Sequence, residues 1–137
     1  MKKLIIILLL QPLLCIAAEE QDFICEVRAA QKVSATGVIE ESNFSGFAEA
    51  FLNKTFAVDR KTGIIVGAQS FKNNNPGNLA VHDEAFNSYT VISSIGAGVH
   101  SILQIGFWSG DDYGINEGEL PFVLIQTNVI LSGICSH

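Results

Sequence analysis

Phe23-Ile24-Cys25-Glu26-Val27-Arg28-Ala29 opens a stretch that runs to Val33 and decides the fold. Phe23, Cys25, Val27 and Ala29 recur at alternate positions, with Glu26 and Arg28 between them. A period of two marks a half-buried strand, because successive strand side chains leave opposite faces of a sheet. This strand carries a cysteine near the start of the folded part of the chain. Ser132-Gly133-Ile134-Cys135 carries another near its end.

The residues before this strand read as an export signal. Lys2 and Lys3 are followed by an apolar run from Leu4 to Leu10, then by Pro12, Leu13 and Leu14. Ala17 and Ala18 precede the acidic pair Glu19-Glu20. Charge, apolar run and small residues come in the order of a cleavable secretory signal, and the run is short for a bilayer span. Cleavage is expected after Ala17 or Ala18, which divides the chain into a signal at 1–18 and a single β domain at 19–137. A retained membrane anchor is the alternative. Cys15 follows Leu14 where lipoprotein processing requires a small residue, so lipidation is not expected. The double-lysine start suggests a bacterial source, with the mature protein periplasmic or secreted. Asn43-Phe44-Ser45 and Asn53-Lys54-Thr55 fit the glycosylation sequon, which matters only in a eukaryotic host.

The full chain has fourteen acidic and eight basic residues. Loss of Lys2 and Lys3 leaves six basic ones. Such a surface repels nucleic acid and anionic lipid and suits a cationic partner, or simply solubility. Stable membrane insertion is not expected after cleavage. With Cys15 gone, Cys25 and Cys135 remain, and two thiols in an oxidising compartment pair. Closing a loop of about 110 residues is worth on the order of 4–5 kcal/mol in the chain-entropy view. Two cysteines without neighbouring histidines do not make a metal site, and no cofactor motif appears.

Strand signals continue along the chain. Thr55 to Val58 and Ile64 to Ala68 flank Asp59-Arg60-Lys61-Thr62-Gly63, where an Asp can cap its own turn and a Gly can take positive φ. Asn73 to Asn78 reads as a loop, and Tyr89 to Ser94 as a strand. Val99, Ser101, Leu103, Ile105 and Phe107 alternate with His100, Gln104 and Trp108 in the next. Phe122 to Gln126 and Val129 to Ile134 flank Thr127-Asn128, a tight hairpin candidate. Phe44, Phe47 and Phe51 recur at helical spacing, with Ser42 or Asn43 to cap, and predict one short helix. The expectation is a mainly β fold. About seven strands and one short helix form a small antiparallel meander, either a barrel or a sandwich. A disulfide joining first and last strands would bring the two sheet edges together and close it.

Residues suited to chemistry are sparse. Asp111, Asp112, Glu117 and Glu119 cluster with Ser109, Tyr113, Asn116 and several glycines in the most acidic segment. Calcium favours such oxygen-rich loops, but the spacing fits no EF-hand, and the segment reads first as a solvated hairpin loop. Phe107-Trp108 stands just before it. Trp108 is either an exposed anchor beside the acids or partly covered, with Phe107 inside. His82-Asp83-Glu84 is the least implausible acid–base or metal cluster. His100 reads as a packed or surface residue, and His137 as a mobile terminus. No Gly-x-Ser-x-Gly elbow, Walker loop or dinucleotide fingerprint occurs.

Phe56-Ala57-Val58-Asp59-Arg60-Lys61-Thr62-Gly63 with Gly67, and Pro121-Phe122-Val123 through Cys135, resemble stretches of small exported proteobacterial β-proteins of unassigned function. That resemblance implies export, a β fold and a terminal cysteine. Ser109-Gly110-Asp111-Asp112-Tyr113 resembles the Ser-Gly-x-x-Tyr element of inhibitors of C-type lysozyme, small exported barrels that insert loops into the enzyme's cleft. The family's second element, a Tyr followed closely by Lys-Gly, is absent, and no lysine follows Lys72.

These readings make the expected function a non-catalytic exported binding module. Trp108, Ser109, Asp111, Asp112, Tyr113, Glu117 and Glu119 would meet a cationic protein or peptide, in the manner of an inhibitor. The alternatives are a carrier holding a small apolar ligand inside the barrel, a periplasmic hydrolase built on His82, Asp83 and Glu84, and a purely structural role.

Overall fold

A computed structural model describes residues 21–41, 50–67, 78–85, 87–107 and 116–137. Nine strands form one antiparallel sheet: β1 (Phe23–Val33), β2 (Ile39–Glu41), β3 (Thr55–Val58), β4 (Ile65–Gly67), β5 (Leu79–Ala85), β6 (Ser88–Ile95), β7 (Gly98–Gly106), β8 (Leu120–Gln126) and β9 (Val129–Ser136). Their order across the sheet is β4-β3-β1-β9-β8-β7-β6-β5, with β2 paired to β1 off that path.

The mainly β expectation holds, and so does the disulfide between Cys25 and Cys135. Three details differ. Among the described residues there are nine strands rather than about seven, because β2 and β5 carry weak signals. Ile39-Glu40-Glu41 is too short to show a period, and His82-Asp83-Glu84 makes β5 read as a polar loop. Among the described residues there is no helical element. Ala50 and Phe51 have α-helical backbone geometry, and the rest of the expected helix, like the expected signal and the Asn73 to Asn78 loop up to Gly77, lies outside the described residues.

The third difference concerns the staple. The disulfide does not draw two sheet edges together. β1 and β9 are neighbours within the sheet, and Cys25 faces Cys135 directly across their ladder, with Cα atoms 3.9 Å apart. The edges of the sheet path are β4 and β5. The chain thus forms two meanders, β1 to β4 and β5 to β9, joined where the first strand pairs with the last. All strands belong to one sheet, so the sandwich alternative is not the fold.

β1 bends at a bulge between Val27 and Ala29. The extra residue shifts the alternation, so Phe23, Cys25 and Val27 are buried, Ala29 is exposed, and Ala30 takes the inward place. Glycine is required opposite the bulge. A Cβ at Gly133 would be driven into the carbonyl oxygen of Glu26 and would press on the Phe122 ring and the Arg28 nitrogen. Beyond the bulge β1 changes partners along its other edge, from β3 at Phe23–Glu26 to β2 at Gln31–Val33.

The sheet curls into a half-barrel. β1 and β6 are four strands apart, which is about 19 Å across a flat sheet. Yet the rings of Phe23 and Tyr89 lie with centroids 4.9 Å apart. Phe56 of β3 and Phe122 of β8 meet edge to face at 5.2 Å. The concave side holds these rings with Val27, Val58, Leu103, Ile105, Leu124 and Leu131, all buried. The convex side is unusually apolar. Ile92, Ile102, Ile125 and Ile130 stand in one cross-strand row over β6 to β9, and Ile102 and Ile125 are more than a third exposed.

Two stability outcomes follow. Gly133→Ala should destabilise the oxidised protein by about 2 kcal/mol or more, since backbone rather than a flexible side chain blocks the new methyl. Urea unfolding of the pair of proteins measures it. Reduction should lower stability by up to about 4 kcal/mol. Because both cysteines are fully buried, dithiothreitol should reduce the bond quickly only once denaturant is added, as thiol labelling would report.

Candidate functional site

The turn between β3 and β4 is built as its residues suggest. Asp59 Oδ1 accepts a hydrogen bond from the Thr62 backbone N–H at 2.7 Å, and Gly63 takes a φ of +73°. The bond from Thr62 holds the Asp59 carboxyl below its ordinary pKa, with the Thr62 hydroxyl and Lys61 acting in the same direction. This turn docks against the far side of the curl. Gly63 lies so close to Val81 and Val91 that a Cβ would crowd both. The Tyr89 hydroxyl donates to the carbonyl of Arg60 at 3.0 Å and lies 3.3 Å from that of Asp59. Side chains therefore latch the β3–β4 turn to β5 and β6, which are at the opposite end of the sheet path.

Arg60 is the centre of this latch. Its Nε donates to Asp83 Oδ2 at 2.9 Å and its Nη2 to Asp83 Oδ1 at 3.1 Å, a two-pronged pairing with both side chains mostly covered. Its backbone N–H donates to Asp22 Oδ1 at 3.2 Å. The guanidinium carbon lies 5.5 Å from the Phe23 ring centroid and 5.7 Å from that of Phe107, within cation–π range of each.

Phe23, Arg60, Asn87, Phe107 and His137 line a cleft of about 420 Å³ at this end of the half-barrel. The two phenylalanine rings stand 6.2 Å apart and inclined by 31°. His137, expected as a mobile terminus, sets its ring edge-on to Phe23 at 6.3 Å. Asn87 is at positive φ, which asparagine tolerates, and its carbonyl accepts the Phe107 N–H at 2.8 Å. The Phe107 backbone is thereby tied to the β5–β6 turn.

β7 finishes and β8 begins at the same end, on either side of the acidic segment in sequence. Trp108, Ser109, Asp111, Asp112 and Tyr113 lie outside the described residues. Glu117 and Glu119 are described. Asn116 Nδ2 donates to Glu119 Oε2 at 2.8 Å, and Arg28, at the β1 bulge, reaches Glu119 Oε1 at 3.3 Å. The Asn116 bond, more than Arg28, holds the Glu119 carboxyl below its usual pKa. Glu117 is exposed. His82 is exposed on β5 while its neighbour Asp83 is engaged by Arg60, so the structure does not bring these two together as a cluster. His100 sits partly covered on β7, its Nε2 3.2 Å from Gln126 Nε2. Among the described residues no three His, Cys, Asp or Glu side chains are placed to share a metal ion.

Arg60, Phe23, Asn87 and His137 were not candidates on sequence grounds. The Asp59-to-Gly63 motif signalled a turn, but nothing local marks which strand that turn will meet. No protein-family model, curated protein or solved structure matches the chain.

Burial, with the Asp83 and Asp59 carboxylates adding to it, pushes the Tyr89 phenol well above its ordinary pKa. The native state therefore holds this proton more tightly than the unfolded chain. The resulting stability is intact below about pH 10 and is lost as pH rises beyond it. Tyrosinate absorbance should show Tyr89 titrating only as the protein unfolds in alkali. Tyr89→Phe should cost about 1 kcal/mol and Asp83→Asn about 2 kcal/mol. The double variant should lose less than the two together, because both residues hold the same turn. Chemical denaturation of the four proteins tests this.

Proposed function

We propose that the protein is an exported, non-catalytic binding module that meets a cationic protein or peptide at the cleft end of its half-barrel. The observation that carries this reading is the gathering of acids around that end. Asp22, Asp59 and Asp83 stand around the Arg60 turn there, and the chain adds Asp111, Asp112, Glu117 and Glu119 between β7 and β8. Their summed field draws a basic partner and repels nucleic acid and anionic lipid. Phe107, half-buried, supplies apolar surface beside the charge, the pairing of anchor and rim that holds protein complexes together. The signal-like start at 1–18 and the disulfide support export to the periplasm or beyond.

A carrier for an apolar molecule has less support. Phe23 and Tyr89, and Phe56 and Phe122, touch across the concave side where such a molecule would need space.

Calorimetry of the oxidised protein against a panel of basic proteins, C-type lysozyme included, tests the proposal. Binding is expected at low salt and should weaken about tenfold or more at physiological salt. Reversing the segment with Asp111→Lys and Asp112→Lys should abolish it. Undetectable affinity for every basic protein at low salt would refute the reading.

A further inference from the structure

We infer that the outward face of β6, β7, β8 and β9 is a docking surface for a second copy of this chain, the two copies meeting face to face about a two-fold axis. The inference concerns the convex side of the sheet and does not depend on what binds at the cleft end.

The face is set by register. Ile92, Ile102, Ile125 and Ile130 stand opposite one another across the four strands, and Thr90, Gln104, Val123 and Ser132 form the adjoining row. The isoleucines alternate with Val91, Leu103, Leu124 and Leu131, which are buried on the concave side. The core accounts for those four residues and not for the outward row. Ile102 is 37% exposed, and Val123 and Ile125 are 41% exposed. None of the residues of these four strands is Asp, Glu, Lys or Arg. Charged and polar groups return on the strands at either side. Glu26 and Arg28 are exposed on β1, and His82 on β5. An uncharged aliphatic centre inside a polar rim is the anatomy of a protein–protein interface.

Charge selects the occupant. The chain carries fourteen acidic residues against eight basic ones, so two copies repel over much of their surface. The wall of β6 to β9 lets them touch without placing like charges together. A basic partner is drawn to acids, and this wall offers it none. The apolar row is also complementary to itself. A two-fold axis parallel to the strands, between β7 and β8, sets Ile102 of one copy on Ile125 of the other and Ile92 on Ile130. Because the wall is convex, contact is densest at β7 and β8, where Ile102 and Ile125 lie. Four strands about 4.8 Å apart, each with about seven residues at about 3.3 Å, present about 450 Å². A stable complex takes about 800 Å² from each partner. The pair is therefore weak and reversible, with a dissociation constant on the order of 100 μM.

Sedimentation equilibrium of the oxidised protein, produced from the full chain and processed by its host, tests this from about 10 μM to about 1 mM. A reversible dimer is expected. Raising salt from about 0.02 M to about 0.5 M should tighten it about threefold or more, by screening the acids. Binding of a basic partner at the cleft end weakens with salt, so the two readings respond with opposite signs and fail separately. Amide NMR shifts that change with protein concentration should centre on Ile102, Val123 and Ile125. Ile102→Glu should weaken the dimer about tenfold or more, because it places a charge in the contact. Val66→Glu adds the same charge on β4, where Val66 is 61% exposed, and should change the affinity by less than about twofold. A monomer at every concentration and salt would overturn the inference. So would association that survives Ile102→Glu unchanged, or concentration-dependent shifts confined to the edge strands β4 and β5. Flotation of a monomeric protein with phosphatidylcholine vesicles, lost in Ile102→Glu, would assign the face to lipid and overturn it as well. The wild-type shift map decides even where Ile102→Glu disturbs folding.

Discussion

The pairing of β1 with β9 is the contact on which the rest of the structure depends. It joins two meanders that would otherwise be separate small sheets, each with little to bury. The ladder runs from Ile24–Ser136 to Lys32–Val129, and the disulfide adds a covalent rung within it. Because that rung links strands already hydrogen-bonded side by side, it fixes register rather than shape. A one-residue slip would turn Phe23, Cys25 and Val27 outward, and the Cys25–Cys135 bond forbids it. The bulge at Arg28 and the bare Cα of Gly133 then let the ladder continue past a bend.

Shape comes from a different set of contacts. The sheet path ends at β4 and β5, and the curl between its arms is held by rings across the concave side and by the Arg60 turn resting on Tyr89 and Asp83. The same latch makes the cleft. Arg60 reaches Asp83 by passing Phe23 and Phe107, so a structural ion pair and a recessed wall of aromatic rings arise from one side chain. A change at Arg60 would alter both the latch and the cleft.

How much of this was legible in the residues varies with the range of the interaction. The alternation in β1 and β7, the Asp59-to-Gly63 turn and the Thr127-Asn128 hairpin were readable, because each depends on neighbours in sequence. The cysteine pair was readable from compartment and count. The place of β1 within the sheet was not. It depends on which of two meanders receives the first strand, and only long-range packing decides that. β5 was missed because its edge carries His82-Asp83-Glu84. Charges on an edge strand discourage further pairing, and they also hide its period. The acidic segment was legible as chemistry, and of its described residues Glu119 is paired with Arg28 and Asn116. The cleft residues themselves come from five distant parts of the chain, so no local signal unites Phe23, Arg60, Asn87, Phe107 and His137.

The order of the strands also sets a timetable. β1, early in the chain, is completed on one side by β9, with 110 residues between their paired cysteines. Until the final hairpin exists, β1 has only β2 and β3 beside it, and the sheet cannot assemble around it. Such non-local pairing slows folding, because a long stretch of chain must be confined before its reward arrives. The β5 to β8 ladders can form earlier, so what waits for β9 is the joining of the two halves of the sheet.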